Sequence, residues 1–288
     1  MDDKDFLYFI DSDYCNHNPD DYVVMTKEEA RKEQEVRDQR RRFLTRNEDF
    51  EKYINEYFGN FFFNNYKDLL ELLQGDTATI FRYLYICTYS DYNGCLITKG
   101  NRPIDRYRLQ LYTMLSDRTF TNLLKTLKEK DLLYKSEGKY YVNEKYVKRG
   151  TMPKAFEDKS IRVFNKGLQQ LYSGSSMRNH KNLGKIIPLL PYVNSYTNVV
   201  CHNIYERDFE ENIPLTPQEI CEVLGYDSSS FNKLRNELCK YDVNGRHIFC
   251  CVSHSGTDYY VVNPSVFYHG NNKDDAIVAY KLFSIGGE

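Results

Sequence analysis

Two stretches far apart in the chain end in the same way. Residues 141–150 read YVNEKYVKRG and residues 261–270 read VVNPSVFYHG. In each, strand-forming residues lead to an Asn (Asn143, Asn263), and a Gly follows seven positions on (Gly150, Gly270). A shift of 111 places puts Phe120 on Phe231, Leu123 on Leu234 and Leu127 on Leu238; beyond a longer second hairpin the shift becomes 120. A repeat of this length is a duplicated domain, because solenoid units are shorter and more numerous. The competing reading is two unrelated helix–hairpin segments. If the duplication is real, one fold has to account for both halves.

The first copy reads as a buried helix (TATIFRYLYICTYSDY), a turn and short strand (NGCLIT), a helix (IDRYRLQLYTML), a second helix with Ser116 as its N-cap (SDRTFTNLLKTLKEKDLL), and a hairpin turning at Glu137-Gly138. The second repeats that order. GKIIPLLPYVNSY is a helix, NVVCHN a strand, and PLTPQEICEVLGY a helix with Pro217 in its first turn and a capping box from Thr216 to Glu219. DSSSFNKLRNELCKY is the next helix, and a hairpin turns at Ser255-Gly256; the insertion IYERDFEENI is the main difference. Helix, strand, helix, helix, hairpin is the order of a winged helix-turn-helix. The expected fold is therefore mostly α with small β-hairpins (α+β), as two tandem winged helix-turn-helix domains plus N-terminal helices.

The expected domains are an acidic N-terminal helical region (1–75), a first winged helix (76–150), a basic, partly helical linker (151–183) and a second winged helix (184–288). In the first region, a Thr26–Glu29 capping box opens a charged helix without an apolar stripe, running into Arg40, Arg41 and Arg42. A solvated face is the plainer account of those arginines. A strongly apolar helix is expected over about residues 49–73, closed by Gly75.

The net charge of −2 conceals a segregation. Lys and Arg against Asp and Glu number 11 to 18 over residues 1–75, 14 to 8 over 76–150, 6 to 2 over 151–183, and 8 to 13 over 184–288. The start MDDKDFLYFI lacks the positive charge of a secretory signal, and no apolar run approaches the ~20 residues of a membrane span. A cytoplasmic protein without membrane association is expected. The 8 cysteines are scattered, so buried free thiols are the expectation. In HIFCCVSH, strand geometry sends His247 and Cys251 to one face and Cys250 and His254 to the other, which argues against a shared metal. No phosphate-cradling glycine loop, nucleophile elbow or H-E-x-x-H motif occurs, so no catalytic residue, metal or cofactor is expected.

The chemistry points instead to nucleic acid. Phe120, Leu123, Leu124 and Leu127 share one helical face, leaving Arg118, Asn122, Lys125 and Glu129 outward, with Thr119 beside them. Arg, Asn and Lys are the side chains that reach guanine, adenine and phosphate from a helix in a major groove. The second copy presents Ser229, Lys233, Asn236 and Lys240 by the same geometry, and the first wing adds Lys135 and Lys139. Helix N-termini add phosphate contacts that carry no sequence information. The linker's Lys148, Arg149, Lys154, Lys159, Arg162, Lys166, Arg178 and Lys181 fit either a DNA backbone or a solvated connector.

With the ending YYVVNPSVFYHG in view, the chain resembles the tandem winged-helix replication and regulatory proteins of Gram-positive bacterial plasmids and phages. In that family a strand, Asn-Pro, an aromatic pair and Gly close the wing. Asn263-Pro264, Phe267-Tyr268 and Gly270 match this, while the first copy has Glu144 in place of the Pro. The resemblance covers about residues 76–150 and 184–270 and implies double-stranded DNA binding without a catalytic centre. Regulation of phage or plasmid genes is the leading expectation. Initiation of replication on repeated origin sites is one alternative; the other is an interaction module, in which only the first copy binds DNA and the acidic second one binds host or phage replication or transcription proteins. A homodimer is left open.

Overall fold

A computed structural model describes residues 6–8, 24–26, 28, 31–32, 34–39, 50, 52–54, 56–152, 156, 159–243 and 246–286. The chain forms two compact units, Met1–Glu51 and Lys52–Glu288. In the first, strands β1 (Phe6–Tyr8) and β2 (Val24–Thr26) pair antiparallel with Leu7 opposite Met25. Residues 28, 31–32 and 34–39 are helical, and side-chain pairs Lys32–Glu28 and Arg31–Glu35 stand four apart on an exposed surface. Thr26 lies in β2, while Glu29 and Arg40 to Arg42 lie outside the described residues.

The second unit departs at once from the single apolar helix expected over 49–73. Helical residues give way at Gly59, whose φ of +80° suits glycine, to strand β3 (Phe61–Asn65). Helix α1 (Tyr66–Leu72) follows, capped by the Asn65 side chain, which accepts from the Asp68 amide at 3.2 Å. Three consecutive phenylalanines suit a buried strand better than a helix surface once neighbouring strands pair with both of its edges.

From there the expected helices and hairpins follow in both copies, while the short strands expected at NGCLIT and NVVCHN form only isolated bridges. The first comprises α2 (Thr77–Cys87), α3 (Arg106–Thr113), α4 (Asp117–Glu129), the hairpin β4 (Leu133–Ser136) and β5 (Lys139–Val142), and an exit strand β6 (Val147–Lys148). Then come β7 (Ser160–Phe164), α5 (Asn165–Ser173) and α6 (His180–Gly184). The segment GKIIPLLPY forms a 3-10 helix over Ile187–Tyr192 rather than the expected α-helix, because Pro188 and Pro191 cannot donate to an α-helical ladder. The second copy continues with α7 (Pro217–Val223) and α8 (Phe231–Leu238), the short pair β8 (Asp242–Val243) and β9 (Arg246–His247), and the hairpin β10 (Phe249–His254) and β11 (Thr257–Val262). It closes with β12 (Phe267–Tyr268) and an unanticipated helix α9 (Lys273–Gly286), which buries Ala276, Ala279 and Phe283. The fold is mixed α+β built on small antiparallel sheets.

The repeat is visible in the hydrogen bonds. Leu96 donates to the Tyr140 carbonyl in one copy and Val200 to the Tyr260 carbonyl in the other; Val142 donates to Gly94, and Val262 to Asn198. Gly94 and Asn198 both have positive φ, +75° and +59°. The repeated Asn has the same task in both copies. Asn143 donates through its amide to Leu132 and through Nδ2 to the Asp131 carbonyl, while its Oδ1 accepts from the Lys145 amide. Asn263 does the same with Ile248, His247 and Ser265. It ties the end of each hairpin to the start of that hairpin and turns the chain toward the exit strand. Asn263 is 1% exposed, so Asn263→Ala is expected to cost about 1–3 kcal/mol in urea unfolding, and Asn143→Ala, half-buried, less.

Those exit strands complete a four-stranded antiparallel sheet of order β12-β7-β3-β6. At its centre Phe63 pairs with Arg162. Outward, Phe63 pairs with Lys148 and Arg162 with Tyr268, and Asn64 pairs with Val147 as Val163 does with Phe267. A shift of 99 carries β3 onto β7, the shift of 120 carries β6 onto β12, and each pairing then maps onto its counterpart. The Phe63–Arg162 pair is its own image. The sheet thus has a pseudo-dyad through that pair, and the duplicated element begins at the strand before the first helix, not at residue 76.

One face of the sheet, with Phe62, Ile161 and Val163, joins a single core that runs through both copies. Across the dyad, Arg82 Nε donates to His180 Nδ1 at 3.2 Å, and Tyr172 lies flat on Tyr85 with ring centroids 3.6 Å apart. Burial and the neighbouring Arg82 push the His180 imidazole down to about 4, which keeps it a neutral acceptor. Residues 151–183, expected as a basic connector, therefore supply a central strand and two packed helices of the shared core.

Candidate nucleic-acid interface

Helix α4 turns Phe120, Leu123, Leu124 and Leu127 into the core. This leaves Arg118, Asn122 and Lys125 exposed, as the periodicity requires, and Thr119 half-buried. Ser116 stands at the N-cap but does not cap the backbone; its hydroxyl meets the Thr119 hydroxyl at 3.0 Å, so the helix keeps amides available at its start. Lys125 Nζ lies 3.8 Å from Glu129, an exposed pair that contributes little and leaves the lysine available. Behind α4, Arg106 at the start of α3 donates to Thr121 Oγ1 at 2.9 Å and sits over the Phe120 ring at 5.3 Å. Arg106 was not among the expected residues, although its position just after the N-cap Asp105 puts it at a helix entrance beside α4.

In the β4–β5 hairpin, Lys135 is exposed and Lys139 half-buried, and Glu137 and Gly138 both adopt positive φ (+49° and +80°) at the turn. Tyr134 and Tyr141 stack across the hairpin with centroids 5.4 Å apart. Lys135 Nζ lies 5.8 Å from the Tyr140 ring.

The second copy has the shorter helix, 8 residues in α8 against 13 in α4. Its capping box forms as expected: Thr216 accepts from the Glu219 amide, and hydrogen bonds from the Thr216 amide and hydroxyl hold the Glu219 carboxyl below the usual carboxylate range. Lys233 and Asn236 are exposed on α8. Ser229 precedes that helix in a 3-10 turn and donates to Asp227, and Lys240 lies beyond its C-cap, Cys239. Ser229 and Lys240 are both exposed, but the expected four-residue stripe spans three local structures instead of one helix. On the same helix Glu237 is taken up by Lys185 at 2.7 Å.

Two linker cations turn inward, Arg149 half-buried and Arg162 buried. Arg149 is drawn inward to donate to the Phe61, Cys87 and Thr88 carbonyls, Ser90 Oγ and Asn165 Oδ1. Arg162, 8% exposed, lies over the Phe61 and Phe63 rings and donates to the Gly270 carbonyl. Lys154 is outside the described residues.

The described cysteines are free thiols; Cys239 and Cys251 are half-buried and the others buried. Among the described residues no group of three or more His, Cys, Asp or Glu is placed to hold a metal ion, and no helix is long and apolar enough to cross a membrane. No family model matches the chain, and neither does any curated protein or solved structure.

Proposed function

We propose that the chain is a sequence-specific double-stranded DNA-binding protein of a mobile element, a regulator of phage or plasmid genes whose two readers are winged helix-turn-helix motifs. The observation that carries this reading is that α4 and α8, each with an exposed polar and basic face, belong to two copies related by the pseudo-dyad of the central sheet. A dyad reverses direction where a tandem translation would not. Two readers engaging one duplex therefore favour inverted half-sites. Selection of bound DNA from a random pool tests this: an inverted pair supports the arrangement, direct repeats contradict it, and iterated sites favour a replication initiator over a regulator.

Arg118→Ala with Lys125→Ala is expected to weaken binding to the selected duplex by about tenfold or more and to flatten the slope of log affinity against log salt. Unchanged affinity at moderate salt removes α4 as a reader.

The shorter α8 and the acidic balance of its copy favour a second reading, in which the second copy holds a protein of the replication or transcription machinery. Truncation does not discriminate, since the copies share one core. Lys233→Ala with Asn236→Ala does: a shortened footprint marks a second reader, and an unchanged one a protein-binding copy.

A further inference from the structure

The two halves differ at one equivalent position beside the dyad. Arg149 and His269 each follow an exit strand, one residue past Lys148 and Tyr268, which occupy matching places in the sheet. Both side chains turn back to the end of the helix that precedes the short strand. Arg149 reaches the Thr88 carbonyl and Ser90 Oγ, and His269 Nδ1 lies 3.1 Å from the Val193 carbonyl and 3.2 Å from Ser195 Oγ. Arg149 goes on to three further acceptors. The imidazole is shorter, and beside it the second half holds a cleft of about 320 Å³.

Its lining is specialised. Arg162 lies in its wall beside its strand partner Phe63, so a buried guanidinium borders the cleft next to an aromatic ring. Ser160, whose hydroxyl donates to Met152 Sδ at 3.3 Å, and Ser195, whose hydroxyl meets His269, border it as well, with Tyr196 and Tyr205. One face of Tyr196 is already covered by the Arg207 guanidinium, 4.6 Å from the ring centroid, which holds that ring as a platform. No acidic side chain is among the described lining residues. A buried cation with hydroxyl donors favours an anion, since charge-assisted hydrogen bonds are strongest where water is thin. Tyrosine rings favour a planar ring. The volume sits at the lower end of small-molecule sites, sufficient for one nucleotide and too small for two.

We propose that this cleft binds a mononucleotide, with its phosphate against Arg162 and the Ser160 and Ser195 hydroxyls and its base on the Tyr196 and Tyr205 rings. The site is separate from α4 and α8 and does not depend on the DNA-binding reading.

Equilibrium dialysis of the full chain against AMP, GMP, CMP and UMP tests it, with inorganic phosphate and the parent nucleosides as comparators. At least one nucleotide is expected to bind saturably, one per chain, and more tightly than either phosphate or its nucleoside. Arg162→Lys is expected to weaken that binding about tenfold, by loss of the planar fork, and Tyr205→Ala several-fold. Tyr205 is 54% exposed, so its truncation leaves the fold intact and decides the matter if the buried Arg162 variant does not fold. Lys125→Ala is expected to leave nucleotide binding unchanged. Absence of saturable binding at millimolar nucleotide overturns the proposal. So does binding that Tyr205→Ala leaves unchanged, binding abolished by Lys125→Ala, or phosphate alone binding as well as the nucleotide.

Discussion

Arg149→Met is expected to lower the unfolding free energy of the second unit by about 3–5 kcal/mol, a large part of the 5–15 kcal/mol that holds a typical domain together. The guanidinium joins four places that are distant in sequence: the first residue of β3, the end of α2 with Ser90 just beyond it, the exit strand that carries it, and the start of α5. Its acceptors are neutral, at 3.0 to 3.4 Å, and burial pulls the guanidinium below its ordinary arginine pKa. Methionine keeps much of the stem but takes the donor from the Phe61 carbonyl and Asn165 Oδ1, at about 1–3 kcal/mol for each group left unsatisfied, while the Cys87 and Thr88 carbonyls keep Ser90 and the Asn165 side-chain amide as donors. Arg149→Lys retains the charge as a single ammonium that cannot reach all five acceptors, so an intermediate loss is expected. Urea unfolding followed by circular dichroism measures both. A loss under about 1 kcal/mol for the methionine variant, with weakened DNA binding instead, would return Arg149 to the DNA-contacting role that its place in a basic stretch suggests.

Gly184→Ala carries the second large effect. Where α6 crosses α2, a Cβ built on Gly184 would fall onto the backbone carbonyl of Thr77. The obstacle is main chain at the first turn of a buried helix, so it cannot be relieved by a rotamer change. Packed cores resist such insertion, and a cost of about 3 kcal/mol or more is expected, with the two helices forced apart at the dyad. The Arg82–His180 hydrogen bond lies in the same contact and should weaken with it. Gly100→Ala is the control: its Cβ would meet only the Thr98 hydroxyl at 3.9 Å, and the residue is exposed, so its melting temperature should stay within a degree or two or rise slightly. Equal melting temperatures for the two variants would show that α6 can shift without cost.

Much of this architecture could be read before any coordinates. Local patterns identified α2, α3, α4, α7 and α8 and both hairpin turns, because each depends on near neighbours: i, i+3, i+4 apolar spacing, a capping box, or an Asx or Gly residue at positive φ. The outward stripe of α4 was legible for the same reason, since helical geometry leaves no other place for Arg118, Asn122 and Lys125. The helix α9 is legible in the same way, through Ala276, Ala279 and Phe283, but lies beyond the repeat, which ends at Gly270.

What the chain could not show locally is how its halves meet. Phe61 to Asn65 are apolar enough for either a helix or a strand, and they become a strand because β7 and β6 supply the hydrogen-bonding edges. Arg149 and Arg162 sit in a basic stretch and look like surface cations; their acceptors come from residues up to 108 positions away, so their burial is a property of tertiary contacts alone. By itself the sequence determined the repeated elements and their polar faces, because those follow from backbone geometry within a few residues. Only the tertiary structure decided that the copies close around one dyad and one core, because strand pairing and burial depend on partners that proximity in the chain does not supply.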